Sequence, residues 1–154
     1  MKVELLLHNI RSVYNTAAIF RTAECLGVNK IFLSGYTPAP IDRFGRVRSD
    51  FHKVALGTET EIEWEQIDNP KSLMGAKKNK GYEVIALEQT NNSQQLKDFV
   101  PLQSVLLIPG TETIGLEAEL LDLCDVAVEI KQQGTKESLN VHSATAIALW
   151  HILN

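Results

Sequence analysis

The chain of 154 residues is too short for two full-sized domains, and its 44% hydrophobic and 22% charged residues suit one folded domain over 1–154 and argue against a largely disordered chain. A net charge of -4 argues against a protein that coats nucleic acid nonspecifically, and no run of apolar residues is long enough to span a membrane. Cys25 and Cys124 stand far apart with no CxxC or Cys/His cluster, so neither a metal site nor a disulfide framework is expected.

Val3 to Leu7 reads as a buried strand that begins directly after Met1-Lys2, with no signal-peptide core, so a cytoplasmic location is expected. The turn that follows, His8 to Ser12, holds no glycine, which weakens the usual dinucleotide-binding reading at its most diagnostic place. Asn15 reads as an N-cap, and Ala18, Ile19, Thr22, Ala23 and Leu26 form the buried stripe of a helix that Gly27 ends. On that helix Arg21 and Glu24 are close enough for an intrahelical ion pair. Ile31 to Leu33 is a second strand.

Residues 34–53 lose all periodicity and read as a long loop. Arg43, Arg46, Arg48 and Lys53 gather there around Phe44, Phe51 and His52, a composition that suits a phosphate backbone with a base stacked on an aromatic ring. The alternative is a solvated loop whose phenylalanines pack inward.

A strand through Ile62 and Trp64, a helix over 70–80 opened by Pro70, and strands over 82–87 and 105–108 follow, with a short helix over 93–99 between those two strands. The last of these strands runs into Pro109-Gly110-Thr111-Glu112-Thr113-Ile114-Gly115, a strand-to-helix turn whose glycines admit a ligand close to the backbone. A helix over 116–123 and a strand over 126–130 come next. The polar stretch up to Asn140 then leads into a C-terminal helix, capped by Ser138 or Asn140, with Val141, Ala144, Ile147 and Ala148 on its apolar face. Strands alternating with helices, and apolar on both faces, predict an α/β domain with a largely parallel sheet and ligands beyond the carboxyl ends of its strands.

Three segments share small, polar, turn-forming residues at the ends of apolar runs: 15–24, 110–115 and 138–141. Asn15-Thr-Ala-Ala-Ile-Phe-Arg21-Thr-Ala-Glu24, Gly110-Thr-Glu112-Thr-Ile-Gly115 and Ser138-Leu-Asn140-Val resemble, in order and spacing, the three motifs of the SpoU (TrmH-like) RNA ribose 2'-O-methyltransferases of the SPOUT superfamily. The resemblance implies a C-terminal trefoil knot, S-adenosylmethionine as cofactor, RNA as partner and a homodimer whose site is completed across the interface. Neither a metal nor a membrane enters that chemistry. Leu87, Gly110, Thr111, Gly115, Ile130, Ser138, Leu139 and Asn140 would line the methyl donor's pocket.

Arg21 would act on the 2'-hydroxyl as base or as electrostatic clamp, with Asn15 and Ser138 orienting it or the substrate, and Glu112 fixing the loop or Arg21. The family pattern is departed from at Pro109, at Lys131-Gln132 and at His142, which bear on RNA choice more than on the cofactor. With no added RNA-binding domain, a small local RNA target is expected, tRNA before rRNA. The competing readings are an inactive RNA-binding relative, a base-nitrogen methylating enzyme using Glu112 as proton acceptor, and a generic nucleotide-binding protein.

Overall fold

A computed structural model describes residues 1–154. Seven strands form one sheet: β1 (Val3–His8), β2 (Lys30–Ser34), β3 (Glu63–Gln66), β4 (Tyr82–Leu87), β5 (Gln94–Gln95), β6 (Ser104–Pro109) and β7 (Val126–Glu129). Their spatial order is β3-β2-β1-β6-β4-β7-β5 and every pairing is parallel. Five helices complete the chain: α1 (Val13–Cys25), α2 (Ser49–Ala55), α3 (Pro70–Asn79), α4 (Ala118–Leu121) and α5 (Val141–Leu153).

The apolar runs produce this sheet because it is covered on both faces. Successive side chains of a strand point to opposite sides, so Leu5 and Leu7 join one core with Ile19, Phe20 and Leu149, while Leu6 joins another with Met74 and Leu120. Strand β6 divides the same way, Val105 and Leu107 to the first core and Leu106 and Ile108 to the second. The first core is sealed by α1, α2 and α5, the second by α3 and α4. A parallel sheet buried between such layers needs continuous apolar strands, which is what β1, β4 and β6 supply.

Several elements differ from the expectation. Ser12, not Asn15, caps α1: its hydroxyl accepts from Asn15 N–H at 3.1 Å. The helix therefore starts earlier and carries Asn15 inside its first turn, where the side chain is buried. The segment from 34 is shorter as a loop than expected, because α2 starts at Ser49. Within it the carboxylate of Asp42 accepts from the backbone N–H groups of Phe44 and Arg46, and Ile41 bridges Val47, which makes a small closed turn. The expected helix over 93–99 is instead the two-residue strand β5 and one 3-10 turn, Leu96–Asp98. On α5 the buried face runs through Val141, Thr145, Ala148, Leu149 and Ile152, and Ile147 is 45% exposed.

Neither cysteine pairs. Cys25 is exposed on α1; Cys124 is enclosed after α4, and burial pushes its thiol up to about 12. No helix is long and apolar enough to cross a membrane.

The α1–α2 contact is centred on Phe20 and Phe51, both fully buried, with ring centroids 5.1 Å apart and planes at 86°. Phe20→Ala removes this edge-to-face pair and leaves a cavity, so urea denaturation is expected to show a loss of about 3–5 kcal/mol.

Candidate functional site

Because every strand is parallel, the carboxyl ends of the strands gather at one edge of the sheet. The loops after β4, β6 and β7, with the start of α5, line a cleft there. Leu87, Ile130, Leu139 and Val141 supply its apolar walls, and Gly110, Thr111 and Ser138 its polar rim. Glu88, Glu112 and Glu129 also line it, so the cleft offers carboxylates to a cationic ligand. Two residues expected at this pocket lie elsewhere. Gly115 packs behind the cleft against Glu88, and Asn140 caps α5, accepting from the N–H groups of His142 and Ser143 at 2.9 and 3.2 Å.

Beside the cleft the three sequence motifs are joined by side-chain hydrogen bonds that end on Glu112, which lines it. Asn140 Nδ2 donates to Asn15 Oδ1 at 3.0 Å, and Asn15 Nδ2 donates to Glu112 Oε1 at 2.9 Å. The direction of each bond is forced. An ionised carboxylate only accepts, so Asn15 must present its amide nitrogen to Glu112 and its oxygen to Asn140. The oxygen of Asn140 is in turn claimed by the first turn of α5.

Glu88 was not singled out by sequence, since an acid after a strand reads as a solvated loop residue. Here its carboxylate folds back under the 110–116 loop. It accepts from Leu116 N–H at 3.0 Å and from Gln89 N–H at 3.1 Å. It also fills the space that a side chain at 110 or 115 would need: a Cβ at either glycine would run into Oε2. Gly115 further sits at φ +70°, where other residues are strained. The glycines of the second motif therefore make room for a carboxylate as well as for a ligand.

Arg21 lies outside this cleft. Its side chain makes no ion pair with Glu24 and lines an apolar groove between α1 and α5, together with Tyr14, Ala18, Cys25, Ile147 and Trp150. His142 closes one side of the groove, its Nε2 2.9 Å from Thr22 Oγ1. The basic segment is partly neutralised from within. Arg46 Nε donates to Asp42 at 2.9 Å, and Arg48 grips Asp50 through two nitrogens at 3.2 and 2.9 Å. The Arg48 guanidinium accordingly holds the Asp50 carboxyl below its ordinary value. Arg43 and Lys53 have no such partner. Phe51 is in the core, whereas Phe44 is 66% exposed with the guanidiniums of Arg43 and Arg46 at 4.8 and 5.0 Å from its ring centre. No cluster of His, Cys, Asp and Glu has the makings of a metal site.

A doubly wound parallel sheet with a glycine-edged cleft at its carboxyl edge defines an α/β small-ligand-binding domain. The model of the SpoU rRNA Methylase family matches residues 2–150, and the chain belongs to that family. The mouse tRNA (guanosine(18)-2'-O)-methyltransferase TARBP1 is 33% identical over 139 residues, covering 88% of this chain and 8% of its own length. The Aquifex aeolicus tRNA (guanosine(18)-2'-O)-methyltransferase is 26% identical, covering 92% and 64%. The chain thus spans less than two thirds of the length of these curated relatives. Among solved structures, an AdoMet-bound rRNA methyltransferase from Sinorhizobium meliloti superposes with a TM-score of 0.86 at 25% identity, covering 97% of this chain and 55% of the other. A structure described as giving insights into the 2-OH methylation of C/U34 on tRNA has a TM-score of 0.80 at 21% identity, covering 97% and 92%.

Burial lowers the affinity of the His142 imidazole for a proton from its ordinary value of 6.5. The unfolded chain therefore takes up a proton as the pH falls through about 6.5 while the folded chain resists it, so the stability present above that pH declines below it and levels off past the folded value. Melting temperatures between pH 7.5 and 5 are expected to fall less steeply for His142→Gln than for the wild-type chain.

Proposed function

We propose that the chain is an S-adenosylmethionine-dependent RNA methyltransferase that modifies a ribose 2'-hydroxyl, with tRNA as substrate in preference to rRNA. The observation that carries this reading is the Asn140–Asn15–Glu112 chain of hydrogen bonds, which joins three motifs from distant parts of the sequence beside the cleft that Glu112 lines. The names of the relatives support the activity, and the tRNA enzymes among those most similar in sequence support the choice of RNA. The trefoil knot of the SPOUT fold belongs to the same proposal, as do a single domain over 1–154 and a cytoplasmic location. Free thiols at Cys25 and Cys124 suit a reducing compartment.

The cleft fits the cofactor on its own terms. Leu87, Ile130 and Leu139 match a flat apolar ring system, the glycine rim exposes backbone groups for its polar edges, and the lining carboxylates suit its sulfonium and ammonium charges. When bound, S-adenosylmethionine supplies an electrophilic methyl group on a cationic sulfur.

This chain's residues then have to place a ribose hydroxyl in line with that methyl and stabilise the oxygen as its proton leaves to solvent. Arg21 serves as the electrostatic clamp on the oxygen and a neighbouring phosphate, since a guanidinium keeps its charge in proteins. Asn15 and Ser138 orient the hydroxyl. Glu112, already engaged by Asn15, fixes the loop. Arg43 and Lys53, free of internal ion pairs, bind the RNA backbone more strongly than Arg46 and Arg48, which must first release Asp42 and Asp50.

Since Arg21 lines the groove between α1 and α5 and not the donor cleft, a second copy seated on that groove completes the site as a homodimer. Tyr14 and Trp150, each 61% exposed, give the groove the aromatic anchors of a protein interface.

Isothermal titration tests the cofactor. The wild-type chain is expected to bind S-adenosylmethionine saturably, and Gly110→Val, whose side chain collides with Glu88, to lose that binding while its circular dichroism is unchanged. A folded wild-type chain with no affinity for the cofactor would overturn the reading. Complementation tests the shared site. Arg21→Ala and Gly110→Val are each expected to be inactive on tRNA and to regain part of the activity when mixed and allowed to exchange subunits, whereas a site built within one chain gives no recovery.

A further inference from the structure

Beside the donor cleft lies a second one, formed by the loops after β1 and β2, the start of α1 and the far side of the 110–115 loop. Its place in the sheet is significant. The chain leaves β1 toward β2 and β3 on one side, and leaves β6 toward β7 on the other, so the direction of winding reverses between the adjacent strands β1 and β6. The crevice beyond the carboxyl ends at such a reversal is where open α/β sheets take their ligands. The donor cleft, between β4, β6 and β7, sits to one side of that point. Glu112 lines both clefts, and Asn15 lines the second while bonding Glu112.

The second cleft also has a built wall. Asn9 adopts a left-handed backbone at φ 55°, a conformation asparagine takes more readily than other residues with a side chain. Its side chain is used at both ends: Oδ1 accepts from Tyr36 N–H at 3.2 Å and Nδ2 donates to Glu117 at 3.3 Å. Gly35, at φ +62°, packs so closely on Asn9 that a Cβ there would collide with Oδ1. Thr37, on the far side of Tyr36, is pinned as well, for its buried hydroxyl donates to Leu7 C=O at 2.8 Å and accepts from Ile10 N–H at 3.1 Å. All this bracing holds a residue whose ring is not itself packed: Tyr36 is 61% exposed and lines the cleft. Arg11, on the same wall, has neither an ion pair nor a side-chain hydrogen bond within the chain.

We infer that this second cleft is the acceptor subsite for one ribonucleotide of the RNA: Tyr36 stacks on the base, Arg11 binds the adjoining phosphate, and the ribose lies against Asn15 and Glu112. The position of the ribose rests on the methyl-transfer reading; the capture of a nucleotide by an aromatic platform and a free guanidinium does not. A ring carried on a braced backbone suits this task because fewer main-chain groups remain to be ordered when a base stacks on it. A flipped-out or loop nucleotide is the form that can reach it.

The test uses the full chain and filter binding of labelled total tRNA, with methyl transfer under single-turnover conditions as a second readout. Tyr36→Leu and Arg11→Ala are each expected to weaken tRNA binding about tenfold, Tyr36→Phe to retain it, and all three to bind S-adenosylmethionine like the wild type. Gly35→Ala, which displaces the platform without removing the ring, is expected to resemble Tyr36→Leu. Wild-type tRNA affinity in Tyr36→Leu and Arg11→Ala would overturn the subsite and leave the methyltransferase reading standing. Tyr36-dependent tRNA binding by a chain that transfers no methyl would uphold the subsite and overturn that reading. Failure of the wild-type chain to bind tRNA at all would overturn both.

Discussion

The hydrogen bond between Asn140 and Asn15 spans 125 positions of sequence and is the constraint on which the site depends. Asn140 cannot turn its oxygen elsewhere without uncapping α5, and Asn15 cannot turn without placing an amide oxygen against the Glu112 carboxylate. A rotation of either amide leaves partly buried donors or acceptors unpaired, at a cost on the order of 1–3 kcal/mol for each. The chain of bonds therefore has one low-energy arrangement, and it fixes the start of α5, the first turn of α1 and the 110–115 loop relative to one another. The second cleft inherits its shape from the same bonds, since Asn15 and Glu112 form part of its wall.

Much of the fold was legible in the sequence because its strands are apolar on both faces and its helices carry recognisable ends. The runs Val84-Ile85-Ala86-Leu87 and Val105-Leu106-Leu107-Ile108 have only one good use, the middle of a covered parallel sheet. What escaped lacked a local signal. Ser12 and Asn15 are both good caps, and only the packing of α1 decides that the first takes the role and the second is drawn inward. β5 is two glutamines held by pairing with β7, with no hydrophobic pattern to announce it. Phe44 and Phe51 are alike in sequence, yet one meets Phe20 in the core and the other meets two arginines in water.

The candidate site was legible unevenly, for the same reason. Segments that line the donor cleft do so with glycine and short polar residues, whose placement at strand ends is readable. Glu88 was not, because its partners are the backbone of Leu116 and the absent side chains of two glycines. Arg21 could be named but not located. Its position on α1, six residues beyond Asn15, turns it toward a different face of the helix, and that geometry, not its identity, is what raises the question of a second subunit.

The two cysteines, so unlike in their surroundings, give the molecule an internal reporter. Cys124 remains a protonated thiol at any neutral pH, because its pKa is pushed up to about 12, and a protonated thiol is a poor nucleophile. Cys25 lies open on α1, in the very groove that also holds Arg21 and Trp150. A thiol reagent thus distinguishes one sulfur from the other without any substitution, and the speed with which it reaches Cys25 is a direct gauge of whether that groove faces water or another protein surface.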